Sequence, residues 1–422
     1  MEWRIGGLLY ADDIAVITNS AEGMERVLED VMVTLEEYGM KLSEEKSKIV
    51  EVGCRQDDQE ERQRWTVRGK TIMRHTETKY LGVMLGEGGI CQFSESLKRV
   101  GNLTGMIKYA AKRSGSRFVV GREGWKSLVV GRFMYGVAAV GWTAVERNKA
   151  EALQKKFGRS MWRVETSVRS SVVHGETAWS SFWEREAKLR ADFVSRTLER
   201  EDIVSRVGRA CGEELGVKSK WWRGVVSLGR KLGLEVMMRM VWRRKFTQEG
   251  LRAVGHSRRE IEDMRKSELT RRIQKVAREE WKEKLQGNGR LERYAEEKGE
   301  DRRKERYVNG SDGAKVRMMC RGDSLTVRGN QILRWKYDTE EERRCVCGEE
   351  ETEKHVLLEC RFGENVREEW LGAWRREKGD LDAMEGVLGY AESSQELEGL
   401  TMRCIGAIWR EREKREKLRG VE

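Results

Sequence analysis

The first part of the fold is decided by the stretch Gly6-Gly7-Leu8-Leu9-Tyr10-Ala11-Asp12-Asp13-Ile14-Ala15-Val16-Ile17-Thr18. Two runs rich in β-forming residues flank the acidic pair, which predicts a β-hairpin with the acids at its tip. Carboxylates so close together repel each other unless a cation lies between them, and Mg²⁺ is commonly held by one or two carboxylates plus substrate phosphates. The ordinary alternative is a solvated acidic turn, and these residues alone leave both interpretations open.

An amphipathic helix is predicted directly after this hairpin. Asn19 or Ser20 can act as its N-cap, apolar residues recur at helical spacing from Met24 to Tyr38, and Gly39 suits the C-terminal end. We expect the helix to pack beneath the hairpin.

Further short strands are predicted at Lys41-Leu42 and over residues 49–53. A second hairpin is predicted around Gly69-Lys70, because runs rich in β-forming residues lie on both sides of that pair.

Three motifs in sequence order resemble one protein family. They are Tyr10-Ala11-Asp12-Asp13, Gly39-Met40-Lys41-Leu42-Ser43-Glu44-Glu45-Lys46-Ser47-Lys48 and Lys79-Tyr80-Leu81-Gly82-Val83-Met84-Leu85. In order and spacing they are similar to the end of the palm of a non-LTR (LINE-type, jockey-like) retrotransposon reverse transcriptase. Several motifs in order are more specific than the acidic pair alone.

The resemblance implies roles for these residues. Asp12 and Asp13 would be catalytic and would hold Mg²⁺, and Lys46 would close the palm near the incoming deoxynucleoside triphosphate (dNTP). Tyr80, Leu81 and Gly82 would belong to the primer-grip strand, which holds the 3′ end of the growing DNA on its RNA template. The alternatives are an ordinary surface lysine and an ordinary core strand.

Charge, apolar stretches and cysteine content indicate which partners and cellular locations are compatible with the chain. The chain has 422 residues, and 83 Lys+Arg against 72 Asp+Glu give a net charge of +11, which is compatible with nucleic acid without requiring it. No apolar stretch is long enough to predict a membrane span, and the N-terminus does not resemble a secretory signal. The eight cysteines are mostly scattered. We therefore expect an intracellular protein, in the nucleus or cytoplasm, that is not secreted.

The apolar period becomes helical from Phe93 onward, and proline is absent from the whole chain. By resemblance, residues 91–200 would be a helical thumb whose lysines and arginines neutralise the phosphates of an RNA–DNA duplex, although a solvated basic face explains each residue equally well. Residues 201–340 are predicted to be a charged helical linker region.

Near the C-terminus, Cys345, Cys347, His355 and Cys360 lie within sixteen positions. Three thiols and an imidazole form a donor set suited to tetrahedral Zn²⁺. Non-LTR elements carry a similar cluster after the thumb, but there the first pair is expected to be Cys-x-x-Cys, so the Cys-x-Cys spacing here puts the geometry in question. The alternative is a set of reduced structural thiols.

Together these patterns predict an α+β protein. A small antiparallel palm remnant over residues 1–90 precedes the thumb and linker, a zinc-knuckle-like module over 341–365, and C-terminal helices over 366–422. The resemblance also implies a further catalytic aspartate on a strand upstream of the hairpin. This sequence would not contain that strand, so we expect a fragment of an RNA-directed DNA polymerase that is inactive alone. Two alternatives are a non-catalytic nucleic-acid-binding helical protein derived from it and a charged helical scaffold.

Overall fold

The fold is that of a computed structural model. It describes residues 6–53, 63–90, 92–164, 168–199, 202–213, 219–234, 258–299 and 302–419. The chain divides into two compact units, Met1–Arg99 and Val100–Glu422.

The N-terminal unit contains the strands, which form three small sheets. The strands are β1 (Gly7–Tyr10), β2 (Asp13–Val16), β3 (Lys48–Ile49), β4 (Arg64–Val67), β5 (Lys70–Arg74), β6 (Glu77–Tyr80), β7 (Val83–Gly86) and β8 (Gly89–Ile90). The sheets have the orders β1-β2, β3-β5-β4 and β6-β7-β8, and every pair is antiparallel except β3 with β5.

Helix α1 (Ala21–Glu37) begins and ends as predicted. The Ser20 hydroxyl accepts the Gly23 N–H at 3.0 Å, and Gly39 follows the helix with a φ of 67°. The expected packing beneath the first hairpin was wrong, because the buried face of α1 at Leu28 packs with Trp65 and Ile72 of the β3-β5-β4 sheet.

Two strand predictions also need correction. Lys41-Leu42 is not a strand, and in the second segment only Ile49 belongs to a strand, the two-residue β3. The hairpin around Gly69-Lys70 is confirmed, since β4 pairs with β5 from Val67↔Lys70 outward.

The C-terminal unit is helical. After α2 (Gln92–Arg113), which begins in the N-terminal unit, the α-helices are α3 (Arg117–Gly124), α4 (Gly131–Met134), α5 (Val137–Val140), α6 (Ala144–Trp162), α7 (Ser170–Thr177), α8 (Phe182–Glu199), α9 (Ile203–Glu213), α10 (Lys220–Lys231), α11 (Arg258–Gln286), α12 (Glu292–Lys298), α13 (Asp312–Arg321), α14 (Glu364–Lys378), α15 (Ala383–Leu388) and α16 (Gln395–Arg419). A π-helical segment, Trp125–Val130, joins α3 to α4.

Aromatic side chains fill the first part of this unit. Trp125 and Phe157 stack at 4.5 Å, Phe118 and Trp162 lie 4.8 Å apart, and Phe133 packs near Phe182. Their rings are buried, so they form the core of this part of the helical unit.

The last part of the chain packs around α16. Helices α13 and α14 contact it, and Trp370, Trp374 and Trp409 are fully buried. The buried Glu351 pairs with Arg412 of α16 at 2.8 Å, which fixes the predicted Cys/His module against this helix.

The predicted α+β class, with small sheets followed by helices and a Cys/His cluster, is confirmed. The subdivision of the helical part at residues 200, 340 and 365 stays a prediction, and residues 235–257 of the predicted linker lie outside the described residues. None of the described helices combines the length and apolar character needed to cross a bilayer.

Candidate functional site

The acidic pair lies at the tip of the first hairpin, as its sequence predicts. Strands β1 and β2 pair in the register Tyr10↔Asp13, so Ala11 and Asp12 form the turn and Asp13 begins the second strand. Ala11 has a φ of 52°, a left-handed conformation that costs a residue other than glycine roughly 1 kcal/mol or more. Such strain is found at functional sites more often than elsewhere.

Both carboxylates are exposed and available to a ligand. Asp12 and Asp13 form no hydrogen bond or ion pair with another residue in the described parts of the chain. Two free carboxylates on adjacent residues match the oxygen donors that Mg²⁺ prefers. Their side chains therefore fit a divalent cation, with remaining ligands coming from water or a bound phosphate.

The hairpin has exposed residues on both faces, although Ala15 and Val16 of β2 are half-buried. Leu9 is 78% exposed, and Leu8, Tyr10, Ile14 and Ile17 are also exposed apolar residues. A two-stranded sheet with this many apolar groups in water is only marginally stable by itself.

Lys46 lies away from strands, in the turn between α1 and β3. It is exposed, and its N–H points to the Ser43 hydroxyl at 3.4 Å. No hydrogen bond or ion pair joins Lys46 to Asp12 or Asp13 within the described residues, so its predicted role near a dNTP stays a prediction.

The predicted primer-grip strand is instead a hairpin. Tyr80 ends β6, Val83 begins β7, and the two face each other across a two-residue turn of Leu81 and Gly82. Both turn residues have positive φ, 46° and 81°, as a tight primed turn requires. The turn could not be predicted from Leu81, because leucine rarely adopts a positive φ, and Gly82 was its sole sequence signal.

The four predicted zinc ligands come together. The donor atoms of Cys345, Cys347, His355 and Cys360 all lie within 4.8 Å of one another. The Cys345 and Cys360 sulfurs are 3.7 Å apart, and the Cys347 sulfur lies 3.1 Å from Nε2 of His355. A tetrahedral zinc ion about 2.3 Å from two thiolates separates them by about 3.8 Å, so this pocket has the right size.

Local backbone geometry explains how the short Cys-x-Cys spacing suffices. The Cys345 carbonyl accepts the Gly348 N–H at 2.9 Å, and Gly348 has a φ of 103°, so the chain turns tightly around Cys347. His355 begins a π-helical turn, His355–Glu359, and Cys360 follows directly after it. The Cys360 backbone N–H donates to the His355 carbonyl at 2.7 Å, so this single turn brings the two residues close together.

Two supporting contacts were not predicted. Arg367 is buried and donates to the Cys360 carbonyl at 2.5 Å. The Thr352 hydroxyl accepts the backbone N–H of His355 at 3.0 Å. Such groups orient metal ligands. Their positions depend on the fold of α14 and of the loop before His355, and no motif in the sequence marks them.

The cluster is poorly suited to hold free thiolates without a cation. Burial, together with hydrogen bonds that the Cys345 thiol makes to the sulfurs of Cys347 and Cys360 and the charge of Cys360, raises the pKa of Cys345 to about 12. Zinc lowers the pKa of a coordinated thiol strongly, so a bound ion would supply the missing positive charge.

Comparison with known families supports the N-terminal assignment. Residues 3–85 match the family model of the reverse transcriptase (RNA-dependent DNA polymerase). The match includes Asp12, Asp13, Lys46 and the Tyr80–Gly82 hairpin, and it lies wholly in the N-terminal unit, whereas the Cys/His cluster lies outside it. No curated protein sequence matches the chain significantly. Over residues 3–85 the chain is therefore similar to the reverse transcriptases, a family whose activity is RNA-directed DNA polymerisation.

Proposed function

We propose that this chain is the end of the palm, the thumb and the C-terminal part of a non-LTR retrotransposon reverse transcriptase. The observation that carries the proposal is the position of Asp12, in the strained turn of a β-hairpin inside the matched segment. A solvated acidic turn would not need the flanking motifs in family order.

In this proposal the first hairpin supplies the metal-binding carboxylates. Asp12 and Asp13 would hold Mg²⁺, which supplies charge stabilisation for the triphosphate during nucleotidyl transfer. Lys46 would lie beside the dNTP phosphates. The hairpin tip at Leu81 and Gly82 would contact the 3′ end of a DNA primer, with the backbone of Gly82 allowing close approach.

We further propose that the 422-residue chain does not polymerise alone. A two-metal site requires carboxylates that bridge two ions about 3.5–4 Å apart. In the described part of the N-terminal unit, the remaining aspartate is Asp30, which lies on α1, whereas Asp57 and Asp58 lie outside the described residues. The exposed edges of β1 and β2 are consistent with a hairpin that pairs with further strands in a complete enzyme.

The Cys/His cluster is proposed to bind one structural Zn²⁺. Its support is the buried donor set, the 3.7 Å sulfur separation and the ligand-orienting contacts of Arg367 and Thr352. The ion would fix the module against α16. The helical unit would contact nucleic-acid phosphates through exposed basic residues such as Lys112 and Arg113, and we place the protein inside the cell, where thiols stay reduced.

Photochemical cross-linking from the primer terminus tests the function. An RNA template annealed to a DNA primer with 4-thiothymidine at its 3′ end is irradiated with the full chain and Mg²⁺, and adducts are mapped by mass spectrometry. We expect adducts within residues 6–18 and 77–86. A primer with the photoreactive base ten nucleotides inward is the control, and it should shift the adducts to the helical unit.

Adducts that stay in the helical unit for both primers would contradict the proposed role of the hairpins. Primer extension with Mg²⁺ tests inactivity separately. Incorporation that requires Asp12, judged by comparing Asp12→Asn with Asp30→Asn, would show that the chain is a complete polymerase.

A further inference from the structure

Trp335 occupies an unusual position for a tryptophan. It is 81% exposed, more than any other large hydrophobic residue in the described parts of the chain, whereas Trp370, Trp374 and Trp409 nearby in sequence are fully buried. Its ring is therefore open to a ligand, and tryptophan is a residue type that often makes such contacts because it combines a large apolar surface with a polar N–H.

The loop that carries Trp335 is held at its start. The Asn330 side-chain oxygen accepts the Ile332 N–H at 3.0 Å, and its amide donates to the Leu325 carbonyl at 3.1 Å. The Leu333 carbonyl then accepts the N–H of Lys336 at 2.8 Å, which closes a turn around Trp335.

The end of the loop is held as firmly. Tyr337 lies under the guanidinium of Arg328 at 4.8 Å, and Arg328 pairs with Glu416 at 2.7 Å. The Tyr337 carbonyl accepts from Arg343 at 3.2 Å, two residues before Cys345. Because both ends are fixed, the ring is presented in a defined place, and a ligand that binds it loses little conformational entropy from the protein.

The charges next to the ring are positive. Arg334 and Lys336 are exposed, and neither forms an ion pair within the described residues. Lys336 lies 5.1 Å from the Tyr337 ring. The next turn carries the exposed acids Asp338, Glu340 and Glu341, so the two residues that flank Trp335 in sequence are basic and the acids follow them.

We propose that Trp335 is a stacking platform for a base of single-stranded nucleic acid, with Arg334 and Lys336 beside the adjoining phosphates. An exposed aromatic ring between cations is the chemistry that binds single strands without reading their sequence. A lipid surface is a poorer fit, because a flat anionic bilayer would also meet Asp338, Glu340 and Glu341. The inference deepens the proposed function and rests on it.

Fluorescence anisotropy of the full chain with a labelled oligonucleotide tests the inference. The Kd of the chain is measured, at one salt concentration, for a twenty-nucleotide oligouridylate and for an oligonucleotide of equal length in which every nucleotide lacks its base. We expect Trp335→Ala to raise the Kd for the first about tenfold and to leave the Kd for the second unchanged, since one stacked base contributes a factor of roughly 5 to 150. Trp335→Phe should recover most of the affinity.

Tyr38→Ala is the matched control, because Tyr38 is 75% exposed but stands beside Glu36 and Glu37 on α1. It should change neither Kd. If Trp335→Ala loses equal affinity for both oligonucleotides, or loses affinity for neither, the inference is overturned. A Trp335→Ala effect seen only with vesicles of phosphatidylcholine and phosphatidylserine would also overturn it. The cross-linking adducts at the two hairpins test the proposed function without involving Trp335. A failure of the proposed function can therefore be told apart from a failure of the Trp335 proposal.

Discussion

At the scale of single residues, the helical unit depends on a buried network centred on Glu176. This carboxylate is fully buried and accepts from the Tyr294 hydroxyl at 2.8 Å and from Arg321 at 3.0 Å, while Tyr307 also donates to it. Burial and the neighbouring charge of Glu176 raise the pKa of both tyrosines, so they remain hydroxyl donors throughout the accessible pH range. The network joins α7, α12 and α13, which are far apart in sequence.

Removing this charge should destabilise the helical unit strongly. Glu176→Gln removes the nearer carboxylate partner of the buried Arg321 and leaves it only Glu305, at 3.8 Å. Breaking a buried pair costs about 3–5 kcal/mol in the free energy of unfolding. Denaturant unfolding followed by circular dichroism measures this change in the free energy of unfolding. The same change at the exposed Glu268, which pairs with Arg271, should have no measurable effect. Equal effects at the two sites would contradict the assignment of Glu176 as the centre of the network.

His174 should make stability depend on acid pH. Burial of its ring, together with Lys155 and Arg302 nearby, lowers the pKa of His174 to about 3, and its Nε2 has no partner in the described part of the chain. Since the unfolded chain binds this proton near pH 6.5, the stabilising contribution is complete above that pH. It is lost as the pH falls toward 3, at up to about 1.4 kcal/mol per pH unit.

Unfolding free energies measured between pH 7 and 4 for the wild type and His174→Leu check this expectation. The substitution should reduce the slope of the unfolding free energy against pH by the amount that corresponds to nearly one proton taken up on unfolding. This holds whatever the substitution does to the stability at pH 7. Identical slopes would mean that His174 titrates normally in the folded protein.

At the scale of elements, the hairpin that carries the acidic pair is the least supported part of the N-terminal unit. The β4-β5 hairpin buries Trp65 and Ile72 against Leu28 of α1, whereas β1 and β2 pair only with each other and leave Leu9 exposed. Local stability follows burial of apolar side chains, so the two hairpins should differ.

Hydrogen exchange followed by mass spectrometry measures this difference. Peptides from residues 6–18 should exchange within seconds at neutral pH, while peptides from residues 64–74 should exchange at least a hundredfold more slowly. Equal protection would show that β1 and β2 have a packing partner in the isolated chain.

The same elements explain what the sequence predicts well. The alternation around Gly69-Lys70 and the helical spacing from Met24 to Tyr38 each report burial on one face, so they predicted β4, β5 and α1 correctly. Packing between elements has no such local signal. The sequence therefore predicted a helix after the first hairpin but placed it against the wrong sheet, and it did not predict the turn at Leu81.

At the scale of the whole molecule, the Cys/His cluster links sequence-distant helices. The ligands lie between the loop at Arg343 and α14, and Glu351 connects them to Arg412 of α16. The four residues were predicted as a set because their types and spacing are local in sequence. Helices were also predicted after residue 365, but their packing against the cluster was not, because it depends on contacts between residues that are distant in sequence. Their common role as zinc ligands stays a prediction.

Zinc removal should therefore destabilise the C-terminal unit. We expect about one zinc per chain by elemental mass spectrometry, and chelation should lower the Tm of this unit by roughly 10 °C, because bound metal stabilises the folded state. Cys345→Ser should abolish the metal, and Cys211→Ser on α9 is the control. Full zinc content in Cys345→Ser would exclude this cluster as the metal site.

Iron-directed cleavage of the backbone measures whether Asp12 and Asp13 hold a divalent cation. Fe²⁺ bound in place of Mg²⁺ generates hydroxyl radicals with ascorbate and peroxide, which cut the backbone near the metal. We predict cleavage within residues 6–18 that excess Mg²⁺ suppresses, that Asp12→Asn with Asp13→Asn removes, and that Asp30→Asn leaves intact. Cleavage that persists in the double variant, or that occurs only outside the hairpin, would contradict the account.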